Sequence, residues 1–410
     1  MWSRARALAA ATPESRNRYV DFLRALSIGA VITGHWMVGV LYVVDGEPTV
    51  SSLLGYEPWT RWLTWVFQVM PIFFLVGGYS NGVSWKSATR RGKAYGEWLA
   101  SRLSRLVGPV LPLLLVWAIA GAVAGQLGVE SEMIRVGSQV ALVPIWFLAV
   151  YVMVVVLVPA TYAAWERFGL ASFAILALAA VAADLLFFAA RMRPLGWLNY
   201  AFIWVAVHQL GYAWRDGYFE GARKGLAWAL GGAVVLAGLV AIGPYPVSMV
   251  SVPGEAVSNT LPPKLPMLAL GIVQTGLLLS IEAPLRRWLR RLTPWTWTVL
   301  VNGMIMTVFL WHLTASSLVI GLALLLGDVG LTLAPASGAW WAARPVWLLV
   351  YALALIPFAL GFGRFERGAK GRPIAAWRPV VGAALVCAGL ALLALDGIAG
   401  TGWLGLRLWV

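Results

Sequence analysis

Charge is scarce in this 410-residue chain, with Asp, Glu, Lys and Arg supplying only 12% of it. A soluble domain carries about 25%. With 60% of residues from the apolar set AVILMFWYC, too few polar side chains remain to cover soluble domains of this length, so a soluble enzyme is excluded. Cysteine is nearly missing as well. Cys387 is the single one, which leaves no intrachain disulfide and no cysteine metal cluster. It lies in an apolar run and reads as a small buried hydrophobe. The 43 Gly and 22 Pro follow no G-X-Y period, which excludes a collagen-like chain. The short alternating segments of a membrane β-barrel are missing too. No internal repeat and no soluble domain are expected. The opening MWSRARALAAATPESRNRYV is basic but lacks a short apolar stretch with a cleavage site, so a cleavable signal peptide is not expected.

What the chain does have is apolar runs of 18 or more residues, each long enough to cross a bilayer as a helix. Eleven spans are expected, at about 20–44, 60–82, 104–125, 138–162, 168–190, 195–214, 225–243, 264–283, 297–325, 344–363 and 378–397. The predicted fold class is all-α, a polytopic transmembrane helix bundle of about 10–11 spans with a cytoplasmic N-terminus. It forms one domain over 1–410, with 1–19 a cytoplasmic lead-in and 20–397 the bundle. Most of the 31 Lys and Arg residues then fall in alternate short loops, among them Arg90, Arg91, Arg223, Arg286, Arg290, Arg367, Lys370 and Arg372. Arg61, Arg135, Arg191, Arg193, Lys264, Arg344 and Arg407 fall on the other side. This asymmetry orients the chain. It also makes the net charge of +14 a topology and lipid-headgroup signal rather than a nucleic-acid one. Many of the 24 Trp residues sit near span ends, as interfacial anchors do.

An ionisable residue inside a span is costly and is therefore a candidate functional group. These are Asp21, Arg24 and His35 in the first span, Asp184 in the fifth, His208 in the sixth and His312 in the ninth. Asp396 falls at the end of the last span, in water. All three histidines of the chain are thus intramembrane. In RYVDFLRALSIGAVITGHW, Arg24 and His35 are eleven residues apart. At 100° per residue they share one helix face to within about 20°, separated axially by about 16 Å. Asp21 is one turn before Arg24 and can pair with it. In RLSRLVGP, Arg102 and Arg105 share a helix face at the cytoplasmic boundary, where two guanidiniums can hold a phosphate.

The first span, with Arg24 and His35 separated by ten residues, resembles the signature of the acyltransferase 3 family of integral membrane acyltransferases. MPIFFLVGGYSNG at 70–82, RLSRLVGP at 102–109, VPIWFLAVYV at 143–152 and NGMIMTVFLWHLT at 302–314 are similar to that family's segments and occur in order. The resemblance covers most of the chain. The family core is described as ten spans where eleven are counted here, and no appended esterase-like domain is read. The resemblance implies transfer of an acyl group, acetyl or another short one, from acyl-CoA to a hydroxyl of an envelope carbohydrate or a glycosylated small molecule. It implies His35 and Arg24 as the essential pair, with Arg102 and Arg105 holding the donor. Acyl-CoA is then a co-substrate, with no permanently bound cofactor, no metal and no nucleic-acid partner. The bilayer expected is the plasma membrane.

A neutral imidazole at His35 suits general base catalysis on the acceptor hydroxyl. The developing oxyanion needs donors, and His312, Trp146, Asn302 and Tyr151 are candidates. Asp184 is placed to orient His35, whereas His208 reads as structural. Two other readings stand beside this one. A transporter or flippase of a lipid-linked or glycosidic substrate would also place charge near the midplane, and release of free CoA from acyl-CoA discriminates. The second large membrane acyltransferase family relies on a histidine with an upstream asparagine, which Asn302 and His312 could imitate.

Overall fold

A computed structural model describes residues 2–366, 368 and 374–398. Arg367, Lys370, Arg372 and Arg407, which carry part of the expected charge asymmetry, lie outside the described residues. The first elements are α1 (Trp2–Ala10), α2 (Arg18–Val38), the strands β1 (Gly39–Val44) and β2 (Glu47–Ser52), and the one-turn helices α3 (Leu53–Tyr56) and α4 (Thr64–Phe67). Next come α5 (Met70–Arg90), α6 (Tyr95–Val107), α7 (Val110–Gln126), α8 (Ser131–Leu142), α9 (Ile145–Phe168), α10 (Leu170–Phe188) and α11 (Asn199–Arg215). The chain continues through α12 (Ala222–Ile242), α13 (Leu265–Ser280), α14 (Glu282–Trp288), α15 (Leu292–Asn302), α16 (Ile305–Leu325), α17 (Gly338–Phe362) and α18 (Trp377–Asp396). The protein is an all-α polytopic helix bundle.

Among the described residues, seven segments are long and apolar enough to cross a membrane, and up to nine if two bent pairs, α6 with α7 and α13 with α14, each count as one. The first bend, 41°, falls at Gly108–Pro109, where proline cannot continue the preceding helix. Each of the eleven expected spans has a helix. The two that fall short of that standard are α2, which carries Asp21, Arg24 and His35, and α11, which has 17 residues.

The expected first span, 20–44, is corrected. Asn17 caps α2 by accepting the Tyr19 N–H at 3.1 Å, and the helix stops at Val38. Residues 39–52 form a hairpin instead. Its turn is Asp45–Gly46, both with positive φ (53° and 82°), the pair that two-residue turns of this hand require. The expected 297–325 span is likewise two helices, α15 and α16, broken at Gly303–Met304.

The chain divides into two compact units, each with its own packing. The first holds residues up to Gly34, Ser52–Arg90 and Leu157–Gly303; the second holds His35–Ser51, Arg91–Val156 and the residues from Met304 on. In the first unit α5 packs on α11, and α12 on α13. Small residues set the distance. A Cβ on Gly78 would collide with the His208 carbonyl, and one on Gly211 with the Leu75 carbonyl, so these backbones touch. Without a hydrophobic drive between helices in lipid, close backbone approach is how membrane helices gain dispersion energy.

In the second unit α16 packs on α17 and α8, and α18 packs on α6 and α8. The Trp311 ring stacks on Phe362 and Phe358, at 4.1 and 4.9 Å between centroids, fastening α16 to α17. Near the start of α16, Glu366 Oε1 accepts from the Thr307 N–H (2.8 Å) and hydroxyl (2.7 Å). A carboxylate there satisfies a donor that the helix itself leaves open.

Candidate active site

In the second unit, His35 at the C-terminal end of α2 meets His312 of α16. His35 Nδ1 lies 2.8 Å from His312 Nε2. The ring centroids are 5.1 Å apart with planes 14° apart. Nearly coplanar rings at about that separation describe an in-plane hydrogen bond rather than a face stack. The other nitrogen of His312, Nδ1, is 2.5 Å from the Phe309 carbonyl oxygen.

These two contacts assign the protons. A carbonyl only accepts, so His312 Nδ1 carries a hydrogen and donates it to Phe309. In a neutral imidazole the other nitrogen is then an acceptor, so His312 Nε2 receives the hydrogen of His35 Nδ1. His35 is left with a lone pair on Nε2. That atom makes no hydrogen bond among the described residues. His312 is fully buried, whereas His35 is half-buried and keeps accessible surface. Trp36 Nε1 donates to the His312 carbonyl at 3.1 Å and holds that turn of α16 beside α2. The arrangement is a relay of one carbonyl and two imidazoles that leaves a basic nitrogen at its open end.

Other expected residues lie in the same unit. Tyr151 and Trp146 of α9 flank Phe147, at 5.6 and 6.4 Å between ring centroids. Phe147 meets Phe309 edge-on at 5.8 Å, and Phe309 meets His312 at 6.1 Å. Arg102 and Arg105 lie on α6, with Arg102 5.8 Å from the Trp98 ring centre and Arg105 exposed beside Gly368.

The first unit holds the remainder. Asp21 takes Arg16 at 2.7 Å and Arg24 at 3.5 Å. Arg24 also donates to the Ser80 hydroxyl at 3.2 Å and stays about a third exposed, its side chain at 35%. The expected Asp21–Arg24 pair is therefore present, with Arg16 the closer partner. Asn302 donates to the Asp21 carbonyl at 2.9 Å, which places it at the first turn of α2. Asp184 is buried on α10 and its oxygens accept from Asn199, Tyr245 and the Leu265 N–H, each at 2.9 Å. Its hydrogen bonds tie the 243–264 connection to α10. The Nδ1 bond that orients His35 goes to His312. His208 packs in α11 with Nε2 3.1 Å from Asn81 Nδ2.

Sequence reasoning missed Trp36 and the Phe309 carbonyl. Both were within reach of it, since Trp36 adjoins His35 and Phe309 precedes His312 by one helical turn.

A half-buried imidazole hydrogen-bonded to a second imidazole thus lies inside the helix bundle of an integral membrane protein. A family profile described as an acyltransferase domain, that of the acyltransferase 3 family, matches residues 17–364, and the chain belongs to that family. Neither a curated protein nor a solved structure matches it.

Proposed function

We propose that this protein moves an acyl group, acetyl or another short one, from acyl-CoA to a hydroxyl of an envelope carbohydrate or a glycosylated small molecule. The observation that carries this reading is the free Nε2 lone pair of His35, fixed by the hydrogen bond from its Nδ1 to His312. The acceptor hydroxyl gives its proton to His35 Nε2 as its oxygen forms a bond to the thioester carbonyl carbon. The C–S bond then breaks, and the CoA sulfur leaves with the proton that His35 returns. No charge is left behind. Positioned proton transfer of this kind contributes about 10²–10⁴-fold. The imidazolium formed midway is stabilised because His312 passes the pull of the Phe309 carbonyl to it, the part a carboxylate plays in other relays.

The CoA phosphates belong on arginine. Arg102 and Arg105 are three residues apart on α6 and present two guanidiniums to one side. Arg24 lies eleven residues before His35 on α2, an axial rise of about 16 Å that suits the long arm between phosphate and thioester. In this proposal the N-terminus and α6 face the cytoplasm of a plasma-membrane protein, and the acceptor reaches His35 from the other side.

The test is acyl-CoA consumption by purified protein, read as free thiol. Wild type releases CoA and acylates the acceptor. A protein that folds normally but releases no CoA with any acyl-CoA would overturn the proposal.

A further inference from the structure

Among the described residues, Lys264 and Arg344 are buried cations that the acyl-transfer reading does not use, and Lys264 donates to the Pro262 carbonyl at 3.1 Å. Arg344, two turns into α17, is only 8% exposed, and its Nε is buried without a hydrogen-bond partner. Among the described residues no carboxylate pairs with it. Gly330, in the connection before α17, packs against the Trp347 ring, and the one acid of that connection, Asp328, makes no ion pair. What surrounds the guanidinium is aromatic: the Trp340 ring centre is 4.0 Å away and that of Trp347 5.7 Å. A cation–π contact offsets only part of the penalty of removing a charge from water.

Tyr351 lies two turns further along α17. It is 5% exposed, and its hydroxyl has no hydrogen-bond partner among the described residues. Trp340, Arg344, Trp347 and Tyr351 follow spacings of four, three and four, which sets them on one helix face. That face leads to the histidine pair. Trp347 meets Tyr351 at 5.6 Å, Tyr351 meets Trp36 at 5.5 Å, and Trp36 meets His312 at 6.4 Å.

We propose that Arg344, Trp347 and Tyr351 form an acceptor subsite for a sugar that carries an oxyanion, a carboxylate or a phosphate. The guanidinium fork takes the anion in a bidentate contact. The half-buried Trp347 ring offers a flat apolar face to the sugar, and the Tyr351 hydroxyl donates to or accepts from a neighbouring hydroxyl. Its role as acceptor site rests on the acyl-transfer reading, whereas its binding of anionic sugars is measured separately.

The experiment is equilibrium binding of glucuronate, glucose 6-phosphate and glucose to the purified full chain in nanodiscs of zwitterionic lipid. Wild type is expected to bind both anionic sugars at least about tenfold more tightly than glucose, the size of one charged hydrogen bond. Arg344→Gln brings them to the level of glucose, and Arg344→Lys restores part of the difference. Tyr351→Phe weakens all three sugars alike and serves if Arg344→Gln does not fold. His35→Ala keeps the binding and loses transfer. Normal transfer by His35→Ala would sink the catalytic reading and leave this binding result standing. Equal binding of all three sugars by wild type, or an unchanged preference for the anionic sugars in a folded Arg344→Gln variant, would make Arg344 a packing cation and overturn the subsite. Anionic lipid in the nanodisc separates the sources of the oxyanion. If phosphatidylglycerol blocks the site and no sugar competes, it holds a lipid headgroup, and the acceptor assignment falls.

Discussion

A histidine is useful as a base only when the correct nitrogen carries its lone pair toward the substrate. In the proposed reaction His35 meets that condition through His312, which is held by the Phe309 carbonyl and, through its own carbonyl, by Trp36. His312 is therefore a positioning residue in the proposed reaction. His312→Phe keeps the ring volume and removes the acceptor, so kcat is expected to fall about 10²–10³-fold while the acyl-CoA KM stays near wild type, within the range of general base catalysis. His312→Gln, which offers a carbonyl to His35 Nδ1, recovers part of the loss. An unchanged kcat in folded His312→Phe would remove the relay. The arginines divide differently. Arg102→Ala is expected to raise the acyl-CoA KM about tenfold, since a hydrogen bond to a charged group is worth about 1.5–3 kcal/mol. Steady-state kinetics with acyl-CoA as the varied substrate checks it, and an unchanged KM takes Arg102 out of the donor site. At this scale the sequence identifies both histidines because ionisable groups are rare in spans. It leaves their hydrogen bond open, because residues 277 apart meet only through the fold.

At the scale of elements, the glycines separate two kinds of constraint. Gly211 lies where α5 and α11 touch, so a side chain there must push two helices apart. Gly211→Val is expected to cost more than 3 kcal/mol, beyond the usual 1–3 kcal/mol of overpacking, and to abolish the folded peak in fluorescence-detected size exclusion. Gly46 meets open space and is constrained only by its φ of 82°. Gly46→Val costs about 1–2 kcal/mol, the penalty of left-handed backbone, and lowers the unfolding temperature by a few degrees. Equal behaviour of the two variants would contradict this account of helix packing. The hairpin itself shows where periodicity misleads. Residues 39–44, GVLYVV, are as apolar as a span and read as its continuation. The following Asp-Gly and the β-branched valines, which favour a strand, mark it as a hairpin. The break at Gly303–Met304 is hidden in the same way, because hydropathy does not register where an apolar helix changes direction.

For the whole molecule, composition alone is decisive for class. Low charge and long apolar runs leave a helical membrane bundle as the outcome, and each expected span contains a helix, although 39–44 is a strand and 297–325 is broken into two helices. What composition does not carry is the division into two compact units, since unit membership depends on which helices touch. His35 opens the second unit while the preceding Gly34 closes the first segment of the other, so α2 belongs to both. The proposed orientation is testable with the single native cysteine removed. In a Cys387→Ala background, Ser3→Cys is expected to react with a membrane-impermeant maleimide only after permeabilisation, and Asp45→Cys to react in intact cells. The reverse pattern would invert the protein and place the arginines of α6 away from cytoplasmic acyl-CoA.

The most direct measurement compares wild type with His35→Ala, matched for folding by size exclusion and thermal unfolding, for thiol release from acyl-CoA and for acyl groups on cell-envelope glycans and secreted glycosides by mass spectrometry. The variant is expected to remain folded and inserted, with transfer lost by at least about 10²-fold. A folded His35→Ala protein that acylates at the wild-type rate would contradict it.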